Sequence, residues 1–458
     1  MAHFETITYF LVVTEDNHNS NSRSEPMRAD RVEAYLVDLN GVCRGRWLVG
    51  DGVERAYSGG LRLPLSLAAV DIFGQDVLAS GLVVESGDQD GEARAIEAEP
   101  RPMPWVDAGS RQLQVSLYGE GDRPFECDPR NVLARVVEAA SARGLRAVVG
   151  TELEFFLFDA QPVGEPKRHP PTTLLGSNVL STDMLHTVRP YLDEIALACR
   201  TLSIPVEGIT CEAGPSQLEV DLGPLEDPLR AADAVIDFRR AARGFARNHG
   251  WNASFMPKPL GDHEGSGMHV HMSLLDEQGQ NIFASSEGEQ RLGHAIGGCL
   301  THLAESQLFF APNANSYRRY VAGSHAPTLA SWGNDNRFAA LRVPLSSPKA
   351  RRLEHRMPGS DTNPYLAIAA ILAAALDGLD RETDPGPAAI GAAVPNSSFP
   401  PPALGWRGAL DAFGASKWVA KSFGESLQQA YVACKRQEYD RLLAQIPTAE
   451  LEAYLDAP

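Results

Sequence analysis

The residues best suited to chemistry recur at one spacing. Glu152 and Glu154 stand two apart in TELEF, His269 and His271 in GSGMHVHMS, and Arg352, Glu354 and Arg356 in RRLEHRM. In a strand, positions i and i+2 point to the same face. Glu212 and Glu219 bracket the turn-prone AGPSQL. If these strands are neighbours in one curved sheet, their charged side chains line one concave face. Carboxylates crowded in a cleft are costly unless cations neutralise them. Carboxylates with at most one imidazole per ion suit Mg2+ or Mn2+ rather than zinc. Arginines on the opposite rim suit polyphosphate and carboxylate groups through bidentate contacts. Together these features describe metal-assisted phosphoryl transfer.

Each segment alone has a plainer explanation. A lone ExE is usually a solvated strand face, a lone HxH is usually structural, and RxExR is usually a surface ladder of ion pairs. Glu152 and Glu154, however, lie between AVVG and FFLF, where solvated carboxylates are unexpected. The constellation is more specific than its parts. No GxxxxGK[ST] and no strand-linked GxGxxG is present, so a nucleotide site here is of another kind.

These residues need a scaffold. Residues 1–27 are expected to be a mobile polar segment, residues 28–122 a small strand-rich domain, and residues 123–458 a larger catalytic domain. VEAYLVDLNG and CRGRWLV form a strand, a turn at Asn40-Gly41 and a return strand. Asp128-Pro129 and Asp227-Pro228 open helices. RAVVGTELEFFLF is a buried strand, with further strands expected at 216–222, 267–274, 337–343 and 351–357. A helix starts at Pro364, residues 384–405 form a loop, and 409–456 are helical.

Composition narrows the partners. The chain has 458 residues and a formal net charge of −18. An acidic surface repels nucleic acid and anionic lipid, so neither is expected as a partner. The 6 cysteines are scattered, with no CxxC pair. No apolar run is long enough to span a bilayer, and no secretory leader is evident, so the cytoplasm is expected.

GTELEFFLF, EAGPSQLE, GSGMHVHMSL, APNANSYRRY, NRFAALRVP, SPKARRLEHRMPG and NPYLAIAA resemble, in order, the signatures of the glutamine synthetase superfamily. The resemblance implies an α+β fold. A small N-terminal β-grasp-like domain precedes a catalytic domain built on a curved antiparallel sheet flanked by helices. It also implies a double-ring, dodecamer-like homo-oligomer with active sites between subunits. Its substrates would be ATP, glutamate and an amine, with two or three Mg2+ or Mn2+ ions. By resemblance, Glu154, Glu212 and Glu219 hold a first metal, and Glu152, His269 and Glu354 a second. Arg319, Arg356 and Gly265 hold glutamate, and Arg337 and Arg342 assist phosphoryl transfer. Glu207, His271, Ser273, Lys349 and Arg352 fall at the nucleotide.

Two departures concern the amine. Ammonia-using members carry a glutamate where this chain has His325, in AGSHAP. They also carry an N-terminal DGSS-like motif, which residues 57–74 lack. Without those carboxylates, ammonium is not the expected acceptor. VDLNGVCRGRW, DIFG, PFECDPRNVL, SWG and YVACK resemble bacterial γ-glutamylputrescine synthetases, which points to putrescine or another polyamine. A monoamine (ethanolamine, isopropylamine, methylamine or aniline) is the alternative. Glutamine synthetase proper and a non-catalytic structural relative fit less well. An alkylammonium has a pKa of about 10 and attacks only as the free base, so His325 is proposed as the base. Asp71 and Trp332 are expected to line the amine pocket.

Overall fold

The computed structural model describes residues 31–160, 169–171, 174, 179–392, 398–403 and 405–457. The segment 1–27, expected to be mobile, lies outside them. The Asn40-Gly41 turn joins β1 (Arg31–Val37) to β2 (Cys43–Val49), with Gly41 at a φ of 74°. The short helix α1 (Asp51–Tyr57) follows. β3 (Arg62–Pro64), β4 (Asp90–Ala95), β5 (Arg101–Pro102) and β6 (Arg111–Tyr118) complete a 6-stranded sheet of order β2-β1-β6-β4-β3, with β5 on β6. The central β1–β6 pair is parallel. Val32, Ala34, Leu36, Leu113, Val115 and Leu117 form its apolar core.

Helix α2 (Pro129–Ser141) then leads into the long strand β7 (Arg146–Asp159). β8 (Val206–Cys211), β9 (Gln217–Leu225), β10 (Trp251–Ser254), β11 (Met268–Leu275), β12 (Trp332–Asn334), β13 (Leu341–Val343) and β14 (Leu353–His355) join it. They form an 8-stranded sheet of order β12-β13-β14-β11-β7-β9-β8, with β10 on β7. All pairs are antiparallel except β12–β13, which is parallel where an antiparallel sheet was expected. α3 (Thr182–Thr187), α4 (Arg189–Thr201), α5 (Pro228–Asn248), α6 (Ser286–Thr301), α7 (Leu303–Phe310) and α8 (Pro364–Arg381) accompany this sheet. α9 (Trp406–Ala415), α10 (Lys417–Phe423), α11 (Glu425–Leu443) and α12 (Thr448–Tyr454) form the helical tail.

Alternation in β7 explains how the sheet serves two surroundings. Leu153, Phe155 and Leu157 point into the apolar core, whereas Glu152 and Glu154 are half-buried on the other side. Helix α5 ties the two sheets together. Its Asp233 accepts from Arg130 Nε at 3.0 Å and Tyr365 Oη at 2.6 Å. Its Asp237 accepts from Gln112 Nε2 at 3.1 Å and pairs with Arg101. Buried charges paired and hydrogen-bonded in this way pin the register of the two halves. YVACK has a structural role. Lys435 is fully buried, donates to Glu438 at 3.0 Å and reaches Asn40 in the first turn.

Asp71 is corrected by its surroundings. Its fully buried carboxylate accepts from the backbone of Phe73 and Gln75 and from Gln437 Nε2 at 2.9 Å. These donors hold the carboxylate inside the fold rather than at a surface where it could line an amine pocket. Trp332 is half-buried on β12 and donates from Nε1 to the Gly386 carbonyl at 3.0 Å.

Asp128 and Asp227 cap α2 and α5 as the sequence indicates. Burial pushes the Asp128 carboxyl up to about 6, although Leu117 and Arg130 both donate backbone N–H bonds to it. The folded pKa therefore lies above the unfolded value of about 3.9. The stability it contributes is full below about pH 4 and is lost as pH rises through about 6. Asp128→Asn keeps one acceptor but removes the titration. Its urea midpoint is expected to be lower at every pH, yet to fall less than the parent's between about pH 4 and 6. Parallel pH profiles for the two proteins would refute this.

Candidate active site

The register of the second sheet brings the spaced residues together. Glu152 on β7 sits opposite His269 on β11 and Asp221 on β9. Glu154 sits opposite Glu219. His271 faces Glu354 on β14, and Glu354 faces Arg342 on β13. Directly opposed residues on one face have Cβ atoms about 5 Å apart, so the strand order alone makes a charged surface.

Contacts across it are close. Glu152 is bound by both histidines, at 2.9 Å from His269 Nδ1 and 2.8 Å from His271 Nε2. Burial opposes its ionisation, but the two imidazoles outweigh that and hold it well below the usual carboxylate range. His269 is pushed down to about 4, by burial and then by Arg356. Glu354 is fully buried and accepts from Arg342 at 2.8 Å and from Arg356. Arg352 Nε donates to His271 Nδ1 at 3.1 Å, so His271 is gripped from both sides.

Among the described residues, Glu219 on β9 has no hydrogen-bonded cation of this kind. Burial and the neighbouring carboxylates Glu154, Glu152, Glu212 and Asp221 raise the pKa of Glu219. Glu154 is also raised, by burial and by Glu212, against the pull of Arg319. Glu154 accepts from Gln217 Nε2 at 3.2 Å and from the Gly267 amide at 2.9 Å. Ligand atoms of Glu152, His271 and Glu354 lie within 4.8 Å of one another, and so do those of Glu152, Glu219 and His269. An oxygen-rich set with single imidazoles and uncompensated negative charge fits Mg2+ or Mn2+.

A second part of the cleft lies beside these groups. Glu154, Glu212, Gly265, Arg319, His325 and Arg356 line one pocket. Arg319 is buried and braced by the carbonyls of Met357 at 2.9 Å and Arg356 at 3.2 Å. A Cβ at Gly265 would meet the Pro257 carbonyl at 2.5 Å and Arg319 Cγ at 2.8 Å, so only glycine lets the loop pass. His325 is exposed, with its ring centroid 5.4 Å from Phe338. Ser273 follows His271 on the same face of β11, half-buried. Glu207 at a β8 bulge, Arg337 and Lys349 are exposed.

Two residues escaped the sequence reading. Asp221 follows Glu219 by two on β9, so the i, i+2 rule that found Glu154 would have found it. Glu264, beside Gly265, lines the His325 pocket from an exposed loop. Loops carry no periodic signal, so nothing marked it.

Comparison with known proteins gives the same picture. Residues 126–454 match the family described as the glutamine synthetase catalytic domain. The chain is 34% identical over 425 residues to the γ-glutamylputrescine synthetase PuuA of Escherichia coli K12, covering 90% of each chain. It is 33% identical over 351 residues to the glutamine synthetase of Thermococcus kodakarensis, covering 76% of this chain and 74% of that one. Two solved structures, apo GmaS and a GmaS/ADP complex, superpose with a TM-score of 0.81 at 26% identity. In both, 93% of this chain and 97% of the other are covered.

Proposed function

The chain belongs to the glutamine synthetase family of ATP-dependent, C–N bond-forming ligases, and within it we propose that this enzyme joins the γ-carboxylate of glutamate to putrescine or another polyamine. The observation that carries this reading is the pocket where Glu154, Glu212, Glu264 and His325 meet Arg319 and Arg356. It offers arginines for the carboxylates of glutamate and, in Glu264, a carboxylate for a cationic amine.

In this reading Glu154, Glu212 and Glu219 hold one divalent ion, and Glu152, His269 and Glu354 another, with His271 supporting Glu152. Bound ions would neutralise the nucleotide's phosphate oxygens. Arg319 and Arg356 orient glutamate, with the Gly265 loop closing over it. The γ-carboxylate oxygen attacks the γ-phosphorus of ATP, giving γ-glutamyl phosphate and ADP. Arg337 and Arg342 stabilise charge on the transferred phosphoryl group. Glu207, Ser273, Lys349 and Arg352 lie along the nucleotide. The amine nitrogen then attacks the acyl carbon and phosphate leaves. His325 takes the proton that the alkylammonium must lose, and Glu264 attracts the cation. Trp47 and Val49, 62% and 64% exposed on β2, support burial of the first sheet against a second copy in a ring-shaped homo-oligomer. Among the described residues no helix is long and apolar enough to cross a membrane.

Phosphate release from ATP with glutamate and Mg2+ tests the acceptor. Putrescine or spermidine is expected to saturate at lower concentration than ethanolamine, isopropylamine, aniline or ammonium. Glu264→Gln is expected to raise the KM for the preferred amine about tenfold, with the KM for glutamate unchanged. His325→Ala is expected to lower kcat about a hundredfold. Saturation by a monoamine would move the reading to a γ-glutamyl monoamide product. Tight use of ammonium would refute it.

A further inference from the structure

We infer that a cavity beside α5, separate from the ligase cleft, binds a small multivalent anion: a di- or tricarboxylate, or a phosphate. The cavity has a volume of about 760 Å³ and is lined by Arg239, Arg240, Arg243 and Arg247. Three of these arginines follow a spacing of four on α5, which places them on one helix face. Like charges so spaced repel, and the repulsion needs a compensating partner.

Two carboxylates line the cavity against the four arginines, Glu33 and Asp361. Glu33 is bound by Arg240 at 2.6 Å. Asp361 accepts at Oδ2 from Ser316 at 2.7 Å and Asn313 at 2.8 Å, and its buried Oδ1 has no hydrogen-bond partner. Arg239 is buried and donates to the carbonyls of Thr362 and Ser360, each at 2.8 Å, not to a carboxylate. Its buried Nε has no partner. Arg239 and Arg243 both sit over the Phe255 ring, at 5.6 and 5.1 Å, which fixes the two guanidiniums near each other. Asp361 acts on Arg239 through space, and among the described residues no carboxylate lies within ion-pair distance of Arg243 or Arg247.

Burial and then Arg243 lower Arg239 to about 9, against the opposing pull of Asp361. A positive cavity in a chain of net charge −18 is the reverse of its average surface. Guanidiniums converging from one helix face match the oxygens of a carboxylate or phosphate. The ligase cleft lies beyond the wall, where the Ser266 amide donates to the Pro257 carbonyl at 2.8 Å.

Calorimetric titration of the full chain with succinate and with inorganic phosphate tests the site. At least one is expected to bind at millimolar concentration or below. Succinate alone would assign a carboxylate ligand, and phosphate alone a phosphoryl ligand. Arg243→Ala/Arg247→Ala is expected to weaken that binding about tenfold or more, while ATP-dependent turnover is retained. Arg243→Gln/Arg247→Gln, which keeps helix propensity and bulk, should weaken it in the same way. Arg342→Ala, in the ligase cleft, should leave it unchanged. Failure of both anions to bind overturns the proposal. So does equal affinity in both double variants, or loss of binding in Arg342→Ala.

Discussion

Glu219→Gln is expected to make the metal-free protein more stable while lowering its turnover about a thousandfold. The side chain is the most crowded carboxylate on the sheet, with Glu154 directly opposite and Glu152, Glu212 and Asp221 close by. Burial and these like charges both disfavour its ionised form. Glutamine has the same shape and no charge, so that repulsion disappears. The same change removes an anionic ligand from the proposed first metal site. In thermal unfolding, the variant should melt above the parent in chelator and gain less from added Mn2+. A variant that melts lower in chelator, or gains as much from Mn2+ as the parent, would show that Glu219 is not held there for a cation.

Glu354→Ala is expected to reduce activity as severely but to shift stability the other way. Glu354 is on the same face of the same sheet, but Arg342 and Arg356 donate to it and His269 and His271 lie beside it. Truncation leaves the buried Arg356 without its carboxylate and Arg342 with Asp335 alone. Removing one partner of a buried ion pair costs about 3–5 kcal/mol. Urea unfolding of the metal-free protein should show a loss in that range, with Glu354→Gln losing less. A loss below about 1 kcal/mol would mean that the arginines find other acceptors or are solvated. The two variants form a pair. Each removes one glutamate from the proposed metal face, and the sign of the stability change reports whether a built-in cation or an added one was its partner.

Much of this face was legible in the chain. The i, i+2 spacing in TELEF, MHVHM and RRLEHRM requires that each set share a face once it forms a strand, because the β period is two. The apolar runs around Glu152 indicated a buried strand, and β7 is one. Asp-Pro pairs opened α2 and α5 where local capping chemistry requires it. These are short-range effects, set by neighbours in sequence.

Which strands lie side by side is a long-range matter. No local signal says that β11 separates β14 from β7, so none could place His271 opposite Glu354 or Glu152 opposite Asp221. Tertiary packing also sent Asp71 into a buried turn and brought Glu264 to the His325 pocket from a loop without periodicity. The residue types and their spacing determined what chemistry the chain can do. Strand order decided which carboxylates meet arginines and which meet only one another. Electrostatic energy depends on distance through space and on burial, and neither is a property of position along the chain.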